Sequence, residues 1–393
     1  MTLIQIRQDQ PLAPLSRRPR LVWLSPHRQI FGFGVGVRFD PGVGPERYAR
    51  AAQLVEEWWE SIGLAGRGPG PLAFASFTFD PEVWGSVVEV PAMSVIETND
   101  EVWTVSLPGA ELPPPDRPLQ ANEDRPRFAG SSLPDHLWLE AVVEALVLIH
   151  RQELEKVVLA RDHALWSKRP FDPRLVLRRL WERFPDCYIF MIDGLVGASP
   201  ELLVHRHGLR VTSRVLAGSA PRGTDPAEDA LIGKELLSSE KNLHEHALAT
   251  ASVSEVLANL CDRFDQPGSP ELLQLANVQH LSTLLQGRLR HPHHVLDLVG
   301  ALHPTAAVGG TPAGAALTTI RRLEGMNRGR YAGPVGCFDP HGEGEFALAL
   351  RCAELSGARA RLFAGAGIVD GSVPEEELEE TRLKLRAMLS ALE

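Results

Sequence analysis

The chain of 393 residues is 44% hydrophobic and 23% charged, enough apolar material for a large core and too balanced for a disordered or low-complexity protein. A net charge of -10 argues against nucleic acid as a partner, and it requires that any anionic ligand meet a local lysine, arginine or divalent cation. The length allows two or three domains, or one large α/β or α+β domain.

The N-terminal residues, with Asp9, Pro11 and Pro14 before Arg17, Arg18 and Arg20, lack the apolar segment of a signal peptide, and no apolar run is long enough to cross a membrane. Cys187, Cys261, Cys337 and Cys352 are far apart and form no C-x-x-C pair, so they read as reduced core residues of a cytoplasmic protein. Residues 21–24, 31–37, 72–79 and 87–90 read as strands, interrupted by a helix over 46–62. Gly32, Gly34 and Gly36 alternate with Phe31, Phe33, Val35 and Val37, which gives a strand with one bare face rather than a dinucleotide fingerprint, since no helix follows. Trp58, Trp59 and Trp84 read as core or edge residues. Residues 107–134, with Pro113-Pro114-Pro115 and Asn122-Glu123-Asp124, form a surface connection after a variable N-terminal part, 1–106. Helical spacing resumes at Asp135, with Leu139, Val142, Val143, Leu146 and Ile149 on one side.

Chemistry begins at Lys156, at the entrance of the apolar run 157–160. Such a lysine either snorkels to solvent or, when desolvated, has its pKa lowered from about 10.4 and can act as a general base. Glu201 follows Gly197-Ala198-Ser199-Pro200 and precedes an apolar strand, so it is either a turn-capping anion or an acid whose pKa is raised by apolar neighbours. Residues 216–223 form a second glycine turn, either a hairpin connection or a backbone donor site. In the helical stretch 225–260, His244 and His246 point in different directions, which opposes a shared zinc, whereas Glu245 can join other carboxylates on a hard cation. Residues 277–289 read as a strand and 290–294 as a surface loop. Arg351 ends an apolar strand, and a buried arginine needs an anion.

The last segment runs from Gly365-Ala366-Gly367 through Asp370-Gly371-Ser372 into a helix beginning near Val373, where Ser372 and Glu375 have capping-box spacing. Leu378, Thr381, Leu385, Met388 and Leu392 make its buried seam, and Glu377, Glu380 and Lys384 make a second stripe rotated roughly 90° from it. That stripe is either a solvated flank or, beside the glycine turn, part of an anion and cation site.

Taken in order, the segments KVVLAR, GASPEL, LAGSAPRG, EH, LHPTAAVGGTP, RGRYAGPVG, GEFALALR, AGAGIV and ELEETRLK resemble the chorismate-utilising enzymes from about residue 130 to the end. That family contains isochorismate and salicylate synthases and the synthase subunits for anthranilate and aminodeoxychorismate. The resemblance implies one large α+β domain over residues 1–393, with two packed antiparallel sheets flanked by helices and a catalytic core over 135–393. It implies chorismate as substrate and Mg²⁺ as cofactor. Glu245 and Glu380 match direct metal ligands, and Glu377 matches an acidic residue reaching the ion through water. Tyr331 and Arg351 match contacts to the enolpyruvyl carboxylate, and Gly218, Ser219, His280, Gly365, Gly367 and Lys384 match other substrate-binding positions.

Within the family, lysine at position 156 goes with water as nucleophile, where the ammonia-using branches carry glutamine. Ala217 cannot be the lysine nucleophile of aminodeoxychorismate synthases, and no Leu-Leu-Glu-Ser tryptophan-sensing stretch is present. The implied reaction is Mg²⁺-dependent addition of water at C2 of chorismate with loss of the C4 hydroxyl, Lys156 acting as base and Glu201 as acid. Isochorismate for menaquinone is the expected product, with salicylate synthesis and a catechol siderophore pathway as the alternatives. A cytoplasmic monomer without an amidotransferase subunit is expected. Ser219, where threonine is common, and the run Ser239-Glu240-Lys241-Asn242-Leu243-His244, less basic than usual, depart from the family pattern.

Overall fold

The computed structural model describes residues 5–8, 14–63, 69–98, 101–116, 125–265 and 268–393. Among these, the chain forms two antiparallel sheets, one of twelve strands and one of ten, packed face to face with helices outside. The α+β architecture is the one expected. Asp9, Pro11, Asn122, Glu123 and Asp124 lie outside the described residues.

Strands of the larger sheet are apolar on both faces, and the alternation of side chains sorts them into two cores. Leu21, Trp23, Phe190 and Ile192 point into the cluster shared with the smaller sheet, where Phe74, Val204 and Phe346 meet them. Val22, Leu24, Ile189 and Met191 point the other way, under the helices Pro173–Arg183 and Pro374–Leu392, with Leu177, Leu180, Leu385 and Met388. All four cysteines are buried and free.

Several elements depart from the sequence reading. The strand expected over 31–37 ends at Phe33, because Gly34 turns the chain at φ +67° and Val37–Phe39 joins the other sheet. The neighbouring glycines serve close approach: a Cβ at Gly36 would lie 2.6 Å from the Val90 carbonyl oxygen. Two strands with many polar residues, Met93–Thr98 and Val102–Ser106, escaped the pattern, and the connection carries a short edge strand, Arg127–Gly130. In the helix Asp135–His150, Trp138, Ala141, Val142, Ala145 and Ile149 are buried while Val143 is exposed. Trp59 is buried, but Trp84 is 67% exposed and belongs to neither core nor sheet edge. His294 is no plain loop residue; its Nδ1 accepts from the Leu296 N–H and caps the helix Val295–Leu302.

Candidate active site

Two long strand pairs bring the site together. In the larger sheet, Lys156–Trp166 pairs with Arg359–Val369, setting Val158 against Gly367 and Ala160 against Gly365. In the smaller sheet, Arg210–Pro221 pairs with Val278–Leu289, setting Ser219 against His280. A turn is expected over 216–223, but 216–221 are the C-terminal half of this strand. The register shifts between Ala217 and Ser219, where Gly218 takes φ +76°, a β-bulge that re-aims the strand at a cavity. Glu240–Leu260 and Pro374–Leu392 complete the enclosure.

That cavity is lined by Glu201, Gly218, Ser219, Glu245, His280, Tyr331, Arg351, Gly365, Gly367 and Lys384 together with Arg328, Leu350 and Phe363. Every substrate-binding residue expected from the sequence is therefore in one wall or another of a single cavity. Lys156 does not snorkel. Its side chain is wholly buried behind Glu245, with Nζ 3.1 Å from Glu245 Oε1 and no directed hydrogen bond. This contact requires glycine at 367, since a Cβ there would lie 2.0 Å from Glu245 Oε1 and 3.1 Å from Lys156 Cε.

Glu201 sits just after Pro200, fully enclosed. Burial pushes its carboxyl up to about 8, against the opposing pull of Lys156 and a backbone N–H from Leu216. Of the two readings open for it, the acid is the one its surroundings favour. On the far wall, an Nη of Arg351 donates to His280 Nε2 at 2.8 Å, and His280 Nδ1 lies 2.9 Å from Ser219 Oγ. Burial, with the positive charges of Arg351 and Lys384, holds the His280 imidazole well below its ordinary value, so it is neutral. With Nε2 accepting from arginine, the proton sits on Nδ1 and is donated to Ser219. The other Nη of Arg351 is buried without a partner, and the residue is held at φ +46°. A guanidinium so placed is ready for an anion. Tyr331 stacks on Phe363 at 5.1 Å and turns its hydroxyl toward Gly365, whose Cβ would be 3.1 Å away.

The carboxylates come from two helices. His246 points away from Glu245, its ring nitrogens bonded to the Ala217 carbonyl at 3.2 Å and to Thr283 Oγ1 at 2.7 Å. In the C-terminal helix, Leu378, Thr381, Leu385, Met388 and Leu392 form the buried seam, and Glu377 is buried with them. The helix start was legible but its cap was not. Ser372 Oγ accepts from the Val369 N–H at 3.2 Å, and the helix has no side-chain cap. Among the described residues, no three histidine, cysteine, aspartate or glutamate side chains converge at ligand spacing; each glutamate is instead engaged by a lysine. Lys384 Nζ donates to Glu380 at 2.5 Å and to the Gly365 carbonyl at 2.9 Å. Lys241, which the sequence reading names only within a run departing from the family pattern, donates to Glu377 Oε1 at 2.5 Å. The donor set nevertheless fits a hard divalent cation, being all carboxylate oxygen. Burial and then the charge of Glu380 push Glu377 up to about 7, a repulsion that a cation relieves. Although burial alone would raise it, Glu245 is held below the usual carboxylate range by Lys156, Lys384 and Lys241.

Comparison with known proteins agrees with this geometry. A family model described as chorismate binding enzyme matches residues 111–393. Isochorismate synthase MenF of Bacillus subtilis (strain 168) is 34% identical, the match covering 98% of this chain and 92% of that protein. Isochorismate synthase DhbC of the same organism is 42% identical, over 94% and 92%. The crystal structure of DhbC from Bacillus anthracis superposes with a TM-score of 0.83 at 33% identity, over 95% of this chain and 96% of that one.

Proposed function

Since this chain belongs to the chorismate-binding enzyme family, and within it to the isochorismate synthases, we propose that it adds water to C2 of chorismate and expels the C4 hydroxyl, using Lys156 as base and Glu201 as acid. The enzyme is an isomerase: one water enters and one leaves. The observation that carries the reading is the pairing of two fully enclosed proton-handling groups, Lys156 and Glu201, close enough for the lysine to act on the carboxyl.

Chorismate is a dicarboxylate, and the cavity offers two different receptors for it. Arg351, with one buried Nη unpartnered, and the Tyr331 hydroxyl receive the enolpyruvyl carboxylate. The ring carboxylate lies toward Glu245, Glu377 and Glu380, which would hold Mg²⁺; the bound ion would fix that carboxylate and accept electron density as the ring rearranges. Lys156, in its neutral form, takes a proton from the water that bonds to C2. As the ring double bonds shift, the C4–O bond breaks and Glu201 gives its proton to the departing oxygen, which leaves as water. Ala217 contributes only a methyl group beside Gly218, so no lysine nucleophile is available at that point of the wall.

For the fate of the product we keep the menaquinone reading, supported by the segment Ala306-Ala307-Val308-Gly309-Gly310-Thr311-Pro312. The greater identity to DhbC than to MenF favours a second reading, supply of a catechol siderophore. Complementation of strains lacking one or the other isochorismate supply separates them. The reaction itself is tested by running it in H₂¹⁸O. The account requires ¹⁸O at C2 of isochorismate, and retention of only unlabelled oxygen there contradicts it.

A further inference from the structure

Two helices meet beside the cavity, each with a stripe of mixed charge. On Glu240–Leu260, Lys241 and Glu245 are four residues apart on one face. On Pro374–Leu392, Glu377, Glu380 and Lys384 form the facing stripe. Lys241 Nζ bridges the two, 2.5 Å from Glu377 Oε1, a carboxylate only 2% exposed. A lysine in the first turn of a helix opposes the helix dipole, whose positive end favours acidic residues there. Position 241 is thus held by its partner and not by its own helix. With the strand lysine included, three glutamates meet three lysines: Lys156–Glu245 at 3.1 Å, Lys241–Glu377 at 2.5 Å and Lys384–Glu380 at 2.5 Å. With all six groups ionised, the cluster carries no net charge.

Resting on the Mg²⁺ reading above, we propose that Lys241 is a positioning residue that makes cation binding depend on the arrival of a dicarboxylate. A divalent cation entering a neutral, poorly solvated cluster alone leaves two positive charges unbalanced, which is unfavourable. A dianionic substrate arriving with it restores neutrality. Lys241 supplies one of the three positive charges that set this balance, and it holds Glu377 in an ion pair against which the cation competes. Removing that one charge leaves the cluster anionic, so the cation binds more readily by itself and the dicarboxylate has less affinity left to confer. Lys241 does not line the cavity, and Glu201, Arg328 and Arg351, the cavity's other charged groups, are untouched by its replacement.

The test is calorimetric titration of MgCl₂, with and without saturating chorismate, into protein carrying Glu201→Gln to suppress turnover. The same titrations are run after adding Lys241→Met. Without chorismate, Lys241→Met binds Mg²⁺ about tenfold more tightly than its parent, and the gain in Mg²⁺ affinity conferred by chorismate shrinks by a similar factor. Lys241→Arg, which keeps the charge, behaves as the parent, and Lys241→Gln repeats the effect should the methionine variant not fold. Unchanged Mg²⁺ affinity in the neutral variants, with chorismate binding intact, overturns the proposal and leaves the Mg²⁺ reading standing. A parent that binds no Mg²⁺ even with chorismate overturns that reading itself.

Discussion

Glu245 and Gly367 approach so closely that no other residue at 367 leaves the glutamate where it is: a Cβ would stand 2.0 Å from its Oε1. The clash falls on the tip of a flexible side chain, so the backbone has no need to move. Gly367→Ala therefore tests this contact directly. It displaces Glu245 and with it the counter-charge of Lys156, and turnover falls by about a hundredfold, the scale on which a 1 Å misplacement acts. The melting transition falls as well, since wholly buried Lys156 loses its counter-charge, a change worth about 3–5 kcal/mol. Steady-state kinetics and circular dichroism on one preparation check both parts.

Glu201 carries a pH signature. Its pKa is raised from 4.5 to about 8 by burial, so the protonated acid that expels the C4 hydroxyl is lost as pH rises through about 8, and kcat falls on that limb. Glu201→Gln abolishes turnover while chorismate still binds. The same shift acts on stability. A carboxyl whose folded pKa exceeds its unfolded one stabilises fully below the unfolded value and loses that contribution as pH climbs to the folded value. Between pH 4.5 and about 8 the wild type thus loses, relative to Glu201→Gln, on the order of a few kcal/mol. Urea titrations at pH 5 and pH 8 measure the difference.

The Ser219, His280 and Arg351 chain predicts a binding defect. Because His280 donates from Nδ1 to Ser219 Oγ, the serine's own proton is free for substrate. Ser219→Ala removes one hydrogen bond to a charged group, worth about 1.5–3 kcal/mol, and raises KM roughly tenfold or more with little change in kcat. Ser219→Thr retains the donor and the wild-type KM.

Below the cavity, Glu324 and Arg328 form a buried pair at 2.5 Å, with the arginine also donating to the carbonyls of Val308 at 2.8 Å and Val158 at 2.9 Å. Arg328→Met leaves Glu324 as a buried carboxylate with the Ala160 N–H as its remaining donor. The expected loss is about 3–5 kcal/mol, read from the urea midpoint.

Much of this site could be read in the sequence because chemistry and periodicity pointed the same way. Glu377, Glu380 and Lys384 had to share a stripe once Leu378, Thr381, Leu385, Met388 and Leu392 fixed the buried seam, and they do. What stayed hidden depends on tertiary context. Residues 216–221 contain the glycine and small side chains of a turn, yet they form a bulged strand because a long partner, Val278–Leu289, pairs along them. Ser372 had the spacing of a cap, but the Val369 N–H claims its hydroxyl. For Lys156 the sequence left a solvent-reaching and a desolvated reading open, and only the packing of Gly367 and Glu245 shows it sealed in. Lys241 was visible in principle, one turn before Glu245 on the same helix face. Its importance comes from a carboxylate more than a hundred residues away, which no local pattern reveals.

The central claim is that water, and neither ammonia nor an eliminating base, acts on chorismate in this cavity. Purified protein is incubated with chorismate and Mg²⁺, without ammonia, and the products are separated over time. The account predicts isochorismate accumulating to equilibrium with no accompanying pyruvate. Salicylate with equimolar pyruvate, or turnover that begins only when ammonia is added, would contradict it.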